Sequence, residues 1–140
     1  MVKYVLDTSA VSALMKGDAT VIARLSQVAR RDVGMPQPVL AEIEYGIQRL
    51  ERSKRKEALR SRFELLKSEI QRVDWPDEVS EAFGKIKATL ERKGERIEDF
   101  DAAVAAHAAA HGSILVTANL KHMVRVSGLR VEDWSRAIEP

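Results

Sequence analysis

Four side chains that carry oxygen atoms are far apart along the chain but stand at similar places in the predicted elements. Each lies at the end of a predicted strand or in the middle or at the start of a predicted helix. They are Asp7, Glu42, Asp101 and Asn119. Carboxylate and amide oxygens are the ligands that hard divalent cations such as Mg²⁺ and Mn²⁺ prefer. Carboxylates that crowd together repel one another unless a cation lies between them. We therefore expect these residues to converge on an oxygen-rich metal site.

Each acidic residue also has an ordinary structural explanation. An Asp before an apolar helix usually caps the helix by accepting hydrogen bonds from free backbone N–H groups, and this applies to Asp7 and Asp101 taken singly. Glu42 would ordinarily be a solvated helix residue, yet Val39 and Gly46 stand at i−3 and i+4 in place of charged residues. Glycine is a poor helix former in mid-helix, so we expect Gly46 to let something approach closely.

Other catalytic chemistries find little support in the chain. It contains no cysteine, which excludes disulfides and thiolate metal sites. His107 and His111 have the i, i+4 spacing of a shared ligand, but no third zinc ligand stands nearby, so packing or surface roles are favoured. A phosphatase of the haloacid dehalogenase type needs a second Asp where this chain has Ser9, and no glycine-rich phosphate loop is present.

Short apolar runs alternate with amphipathic stretches along the chain. Predicted strands cover residues 3–6, 33–35, 73–75, 113–117 and 129–134, and predicted helices begin near Ser9, Asp18, Pro38, Ser53, Val79 and Ala102. This alternation predicts an α/β fold, in one domain over residues 1–140, with a central, mostly parallel sheet of four to five short strands flanked by helices. Ligands of such sheets bind beyond the carboxyl ends of strands, where we expect Asp7 and residues 117–119.

Basic residues are concentrated between residues 49 and 62, where seven cations and two anions give a local charge of +5 in a chain of net charge +2. The first five are Arg49, Arg52, Lys54, Arg55 and Lys56. Such a patch can bind a polyanion, although a solvated helix face is the more ordinary explanation. The apolar runs are too short for a secretory signal or a bilayer span, so we expect a soluble, cytoplasmic protein without membrane contact.

Three segments resemble, in order, the PIN-domain nucleases that include the VapC and FitB toxins. They are YVLDTSAVSAL at residues 4–14, PQPVLAEIEYGI at residues 36–47 and DFDAAVAAHAAAHGSILVTANLKHMVRVSGLRVEDW at residues 99–134. The resemblance spans nearly the whole chain and is weakest between residues 51 and 95. It implies the PIN-domain fold.

The resemblance carries the family's three acidic residues, as catalytic residues and metal ligands, onto Asp7, Glu42 and Asp101. Asp99 competes with Asp101 and is expected to hold a second ion or a water. Asn119 stands where many members have Asp, so its amide keeps an oxygen but loses a charge. Ser9 and Thr117 match positions whose hydroxyl groups support the acidic cluster through hydrogen bonds.

The activity that the resemblance implies is an Mg²⁺- or Mn²⁺-dependent endoribonuclease, selective for single strands, that leaves a 5′-phosphate and a 3′-hydroxyl. A water molecule is the nucleophile, so preference for RNA must come from binding. The resemblance further implies a homodimeric toxin of a type II toxin–antitoxin system, cutting tRNA or other structured RNA. A VapB-type antitoxin that also binds its operator DNA would neutralise it. The first five basic residues would hold RNA phosphates or contact the antitoxin, and both roles stay open.

Two alternatives remain open at the level of sequence. The chain is also compatible with an RNA-processing PIN nuclease that has no antitoxin. The second alternative is a weakly catalytic module that acts mainly by binding a DNA-binding partner protein. Asn119 slightly favours this alternative. The presence of Asp7, Glu42 and Asp101 argues against that second alternative.

Overall fold

Five short strands form one sheet in the computed structural model, which describes residues 2–136. The strands are β1 (Tyr4–Leu6), β2 (Val33–Pro36), β3 (Gln71–Val73), β4 (Ile114–Val116) and β5 (Val131–Glu132). Their order across the sheet is β3-β2-β1-β4-β5, and every neighbouring pair is parallel. The predicted α/β fold with a parallel sheet is therefore confirmed, with five strands in the part of the chain that the structure describes.

Seven α-helices flank the sheet in residues 2–136. They are α1 (Thr8–Met15), α2 (Ala19–Ser26), α3 (Gln37–Gln48), α4 (Lys54–Glu69), α5 (Asp77–Arg92), α6 (Asp99–His111) and α7 (Leu120–Met123), with a 3-10 turn at Arg30–Asp32. Local residues explain the helix ends: the Asp18 and Ser53 side chains accept backbone N–H groups at the starts of α2 and α4. Gly112 ends α6 with φ 65°, a conformation that favours glycine. Across this part of the chain, no helix has the length and apolar character that crossing a membrane requires.

The two central strands form the middle of the core. Val5 and Leu6 of β1 and Leu115 and Val116 of β4 have no exposed surface. Both faces of a parallel sheet are covered, so a central strand is apolar at successive positions and does not alternate with polar residues. This burial is the reason that the short apolar runs were recognisable as strands.

The strand order reverses between β1 and β4. The chain builds β1, β2 and β3 outward in one direction and then returns to add β4 and β5 on the other side of β1. In parallel sheets the crevice outside the carboxyl ends of the strands at such a reversal is the usual ligand site. Asp7 and Thr117 directly follow the two strands that border it, and the Asp7 backbone N–H donates to the Val116 carbonyl at 3.0 Å.

Several boundaries differ from the sequence-based prediction. The third strand covers residues 71–73 and not 73–75, because it pairs with β2 in the register Gly34↔Gln71 and Pro36↔Val73. The last strand is limited to residues 131–132 because β4 offers only two residues for pairing. The 3-10 turn and α7 were not predicted, since three or four residues are too few for a recognisable apolar period.

The start of α6 is the correction that matters for the site. Asp101 was expected to precede this helix, but the helix begins at Asp99, with Glu98 at the N-cap position. Acidic residues in the first turn interact favourably with the positive end of the helix dipole, which accounts for the earlier start. The capping explanation of Asp101 is therefore wrong, and its carboxylate must be explained in another way.

Candidate functional site

Asp7 is held at the carboxyl end of β1 by the first turn of α1. Its Oδ1 accepts hydrogen bonds from Ser9 Oγ at 2.6 Å and from the Ala10 backbone N–H at 2.9 Å, and only 6% of the residue is exposed. Burial raises the pKa of Asp7, and hydrogen bonds from Ser9 and Thr117 partly oppose that rise. Asp7 is thus a helix cap, as one explanation predicted, and also a buried carboxylate at the reversal of the sheet.

Glu42 reaches the same region from the middle of α3. Its Oε1 accepts a hydrogen bond from the Thr8 hydroxyl at 2.7 Å, and Thr8 is the first residue of α1. α3 packs against both α1 and α6, so its central turn lies between the helices that carry the other two carboxylates. The hydrogen bond fixes one oxygen of Glu42 at Thr8, the residue that follows Asp7 in the chain.

Asp101 lies in the first turn of α6, and the charges of Asp7 and Glu42 affect its pKa. Burial raises the pKa of Asp101 most, followed by the negative charges of Glu42 and Asp7, while the charge of His122 opposes the rise. Coulombic influence of this kind requires proximity. Glu42 of α3 and Asp7, which follows β1, therefore lie within electrostatic reach of Asp101 in α6, although the three residues are distant in sequence.

Two hydroxyl groups connect the loops that follow β1 and β4. Ser9 Oγ donates to Asp7 and accepts from the Ala118 backbone N–H at 3.0 Å. Thr117 donates to the Asp7 carboxylate, and its Oγ1 accepts from the Asn119 backbone N–H at 2.9 Å. Both hydroxyl groups thus hydrogen-bond the Asp7 carboxylate, and the supporting role that the resemblance implies for Ser9 and Thr117 stays a prediction.

Asn119 occupies the residue before α7, on the β4 side of the cluster. Its side-chain nitrogen lies 3.1 Å from His122 Nδ1, three residues further along the chain. His122 was not singled out from the sequence, although the i, i+3 spacing from Asn119 places the two side chains as neighbours. The amide of Asn119 is therefore oriented by His122 at the rim of the cluster.

Asp99 takes a different direction from Asp101, two residues away. Its Oδ1 forms an ion pair with Lys87 Nζ of α5 at 3.0 Å, and 66% of its side chain is exposed. Residues two apart on a helix do not share a face, which explains the divergence. Glu98 was missed by the sequence analysis, yet its charge contributes to the raised pKa of Asp101 because the two residues are three apart.

The donor set of the cluster fits a hard divalent cation in its chemistry. All three carboxylates supply oxygen, and the charges of Glu42 and Asp7 destabilise the ionised form of Asp101, an effect that a cation would relieve. Within residues 2–136, no three His, Asp or Glu side chains are already arranged closely enough to hold an ion.

His107 has a packing role. It is fully buried, its Nδ1 lies 2.7 Å from the Ala103 carbonyl, and its ring contacts the Trp75 ring edge-on at 4.9 Å between centroids. Burial lowers the pKa of His107, which favours the neutral ring. The interpretation of this histidine as a packing residue agrees with these contacts.

The basic residues between 49 and 56 cluster around the end of α3 and the start of α4. Four of these five residues are exposed, namely Arg49, Arg52, Lys54 and Arg55. Within residues 2–136, the side chains of these four form no hydrogen bond or ion pair. Lys56 differs, because its Nζ donates to the carbonyl of Gln48, the last residue of α3, at 3.5 Å and to that of Leu50 at 3.0 Å. Arg49 and Arg55 line a groove of about 400 Å³ that Glu42 also lines.

The comparisons with known proteins match nearly the whole chain. Residues 4–129 match the PIN domain family. The chain is 34% identical over 135 residues to ribonuclease VapC2 of Haemophilus influenzae, covering 96% of this chain and 99% of that protein. It is 30% identical over 135 residues to the tRNA(fMet)-specific endonuclease VapC of Shigella flexneri, covering 96% of this chain and all of that protein.

The fold is also similar to that of a solved toxin–antitoxin complex. VapBC2 from Rickettsia felis, whose crystal structure contains a DNA fragment from the promoter, superimposes with a TM-score of 0.85 at 29% sequence identity. The superposition covers 96% of this chain and 99% of the chain in that complex.

Proposed function

We propose that this chain, which belongs to the PIN domain family, cuts RNA at the cluster of Asp7, Glu42 and Asp101 with Mg²⁺ or Mn²⁺. It is a toxin endoribonuclease of the VapC type, and its partner is a VapB-type antitoxin. The observation that supports this site is the position of Asp7, which is buried beyond the end of β1 where the strand order reverses, with Glu42 hydrogen-bonded to the adjacent Thr8. The charges of Glu42 and Asp7 also raise the pKa of Asp101. Carboxylates held close enough to repel one another are the arrangement that a divalent cation stabilises.

Each residue of the cluster has a separate task in this proposal. Asp7, Glu42 and Asp101 would hold the cation with carboxylate oxygens, and Asp99 or Asn119 would hold a second ion or a water. A divalent cation supplies two things to phosphodiester hydrolysis: it lowers the pKa of a water molecule and offsets the negative charge of the phosphate. Ser9 and Thr117 keep the Asp7 carboxylate oriented, and Thr8 does so for Glu42.

RNA would reach the cluster along the exposed basic residues. Arg49 and Arg55 line the groove that leads to Glu42, so they are placed to hold phosphates on one side of the cleaved bond. Arg52 and Lys56 line a neighbouring depression together with Arg60 and would hold phosphates further away. Lys54 begins α4 at the same exposed surface.

We include a substrate, an assembly and a location in the proposal. Two of the similar proteins are named tRNA(fMet)-specific endonucleases, so initiator tRNA is the first substrate to test. A homodimer, with the antitoxin covering part of the basic surface, follows from the resemblance to the toxin family. A cytoplasmic location would place the enzyme with its RNA substrate.

The test compares two aspartates that cap helices in the same way. Asp7→Asn keeps an N-cap side chain but removes the charge, and Asp18→Asn does the same at α2, far from the cluster. Purified wild-type, Asp7→Asn and Asp18→Asn proteins, freed of antitoxin, are incubated with initiator tRNA and total tRNA in Mg²⁺, Mn²⁺ or EDTA. We expect discrete fragments from the wild type and from Asp18→Asn with metal, and none from Asp7→Asn or with EDTA.

The other outcomes decide between the alternatives. Cleavage that survives EDTA, or that Asp7→Asn leaves intact, contradicts the metal-dependent site. A folded wild-type protein that binds the antitoxin but cuts no RNA under any condition supports the weakly catalytic module, for which Asn119 in place of an acidic residue is the favouring observation.

A further inference from the structure

A groove beside Glu42 combines an apolar floor with a cationic rim. It lies between α1, α3 and α4 and has a volume of about 400 Å³. Apolar side chains contribute to its lining: Met15, Ile43, Ile47, Leu50 and Leu59. We call it the α3 groove. A bare phosphate has no use for an apolar floor, whereas a nucleotide presents a flat apolar base and a charged phosphate side by side.

The cations of the α3 groove are not used by the fold. Lys16, Arg49 and Arg55 line it, and within residues 2–136 none of their side chains forms an ion pair or a hydrogen bond. Glu42 is the one carboxylate among the lining residues. The resulting excess of positive charge complements the phosphate backbone of a nucleic acid.

Tyr45 supplies an aromatic surface at the same place. It lines the α3 groove one helical turn from Glu42, and 68% of the residue is exposed. Among the described residues, no aromatic or cationic side chain stacks on its ring. An exposed ring beside unpaired cations is the combination on which proteins stack the bases of single-stranded nucleic acids.

Gly46 leaves the surface next to Glu42 without a side chain. It lies four residues after Glu42 and so on the same face of α3. A Cβ added at Gly46 would meet no atom within 4 Å, and its φ is not positive, so the fold does not require glycine there. Alanine would favour the helix, so the helix itself does not explain glycine at this position, and the surface beside Glu42 is open to a ligand.

We propose that the α3 groove is a nucleobase subsite, in which one base of the RNA stacks on Tyr45 across the open surface at Gly46 while Arg49 and Arg55 bind the adjoining phosphates. The subsite positions the strand next to the carboxylate cluster and so rests on the proposed function. Lys16, Arg49 and Arg55 complement the phosphates of RNA, so RNA is the occupant that we propose, and binding of an antitoxin segment is the alternative outcome of the tests.

The first test uses two glycines in matched environments. Gly46→Ala and Gly84→Ala both add a methyl group in mid-helix where no atom lies within 4 Å. Both should raise the unfolding temperature by about 3 °C, because alanine is the better helix former. Only Gly46→Ala should weaken RNA binding, by about tenfold, because its methyl group occupies the base position. A structural role alone cannot produce higher stability together with weaker RNA binding.

The second test separates the ring of Tyr45 from its volume. Tyr45→Phe keeps the stacking surface and should bind RNA within about twofold of the parent, whereas Tyr45→Leu should lose about tenfold. Binding is measured by fluorescence anisotropy with fluorescein-labelled single-stranded RNA of mixed sequence. All variants are made on Asp7→Asn, so that the RNA is not cut during the measurement.

The outcomes keep this inference apart from the proposed function. Unchanged RNA affinity in Gly46→Ala and Tyr45→Leu overturns the subsite, and it also assigns the groove to the antitoxin if the same variants lose the complex with a VapB-type antitoxin. Equal losses in Gly46→Ala and Gly84→Ala likewise overturn it. A wild-type protein that binds RNA through Tyr45 and Gly46 but never cuts it contradicts the proposed function and leaves the subsite supported.

Discussion

The carboxylate cluster and the basic residues 49–56 adjoin the same helix, α3, but they are built in opposite ways. In the cluster, Asp7 is buried and hydrogen-bonded, and Glu42 is held by Thr8. At the end of α3, Arg49 and Arg55 extend into solvent without side-chain partners among the described residues. A group that holds an ion needs a fixed position, whereas a group that attracts a polyanion acts through long-range charge and can remain mobile.

The two regions also differ in the free-energy cost of their charges. Burial raises the pKa of Asp7, and burial together with the charges of Glu42 and Asp7 raises the pKa of Asp101. The ionised carboxylates of the metal-free cluster therefore carry a free-energy cost that a cation would offset. The exposed arginines carry no such cost, because water solvates them fully. Changes in the cluster should therefore have large effects on catalysis, and changes at residues 49–56 should have moderate effects on binding.

The largest effect is expected from Asp7. Asp7→Ala should lower kcat by about a thousandfold, since a ligand of the cation contributes several kcal/mol to the transition state. It should also lower the free energy of unfolding by about 1 kcal/mol, because the cap of α1 is lost. Asp7→Asn should lose the activity but keep the stability, and urea unfolding of both variants beside a cleavage assay measures the difference. Equal losses of stability in both variants would contradict the separation of cap and ligand.

A smaller effect is expected when either of the two aspartates of α6 is replaced by asparagine. Asp101→Asn should weaken Mn²⁺ binding by at least about a hundredfold, more than loss of an outer hydrogen-bond partner does. Asp99→Asn should weaken it far less, because the ion pair of Asp99 with Lys87 is exposed. Isothermal titration calorimetry with Mn²⁺ measures both, and the reverse order would overturn the choice of Asp101 as the principal ligand.

At the basic surface the expected effect is moderate and depends on salt. The double variant Arg49→Gln and Arg55→Gln should weaken RNA binding by about tenfold and lower the slope of log Kd against log salt by about 0.7 per arginine, with kcat unchanged. Arg24→Gln is the control, since its guanidinium already pairs with Glu132 and lines neither depression of the basic surface. A slope that changes equally in Arg24→Gln would contradict a specific role of Arg49 and Arg55 in RNA binding.

The smallest effect is a shift along the pH axis. Because burial and the charges of Glu42 and Asp7 raise the pKa of Asp101, this carboxyl takes up a proton at a higher pH than an ordinary aspartate and stops binding a cation there. Without metal, pH affects the free energy of unfolding in the opposite direction. Because the pKa of Asp101 is higher in the folded state, acidification stabilises the fold, and this stability is lost as the pH rises through the folded-state pKa.

The measurement follows Mn²⁺ affinity and thermal unfolding through the weakly acidic range. In Glu42→Gln one repulsive charge is gone, so both pH dependences should move to lower pH than in the wild type. Identical pH dependences in Glu42→Gln and the wild type would contradict the electrostatic coupling in the cluster.

Much of the fold and part of the site could be predicted because the signals are local. The buried runs at β1 and β4 mark the central strands, and Asp7 and Thr117 follow them directly. Asp18 and Ser53 mark helix starts by their capping chemistry. Elements of two to four residues, such as β5 and α7, carry too short a pattern for their boundaries to be recognised.

The sequence by itself determined the order of strands and helices, the positions of Asp7 and residues 117–119 at strand ends, and the charge of residues 49–56. Spacing and composition within a few residues are enough for each of these. Only the tertiary structure decided that Asp101 lies within electrostatic reach of Glu42 while Asp99 pairs with Lys87, and that Lys56 donates to the Gln48 carbonyl at the end of α3. Those choices depend on how α3, α5 and α6 pack beside the sheet, and packing joins residues that no local pattern relates.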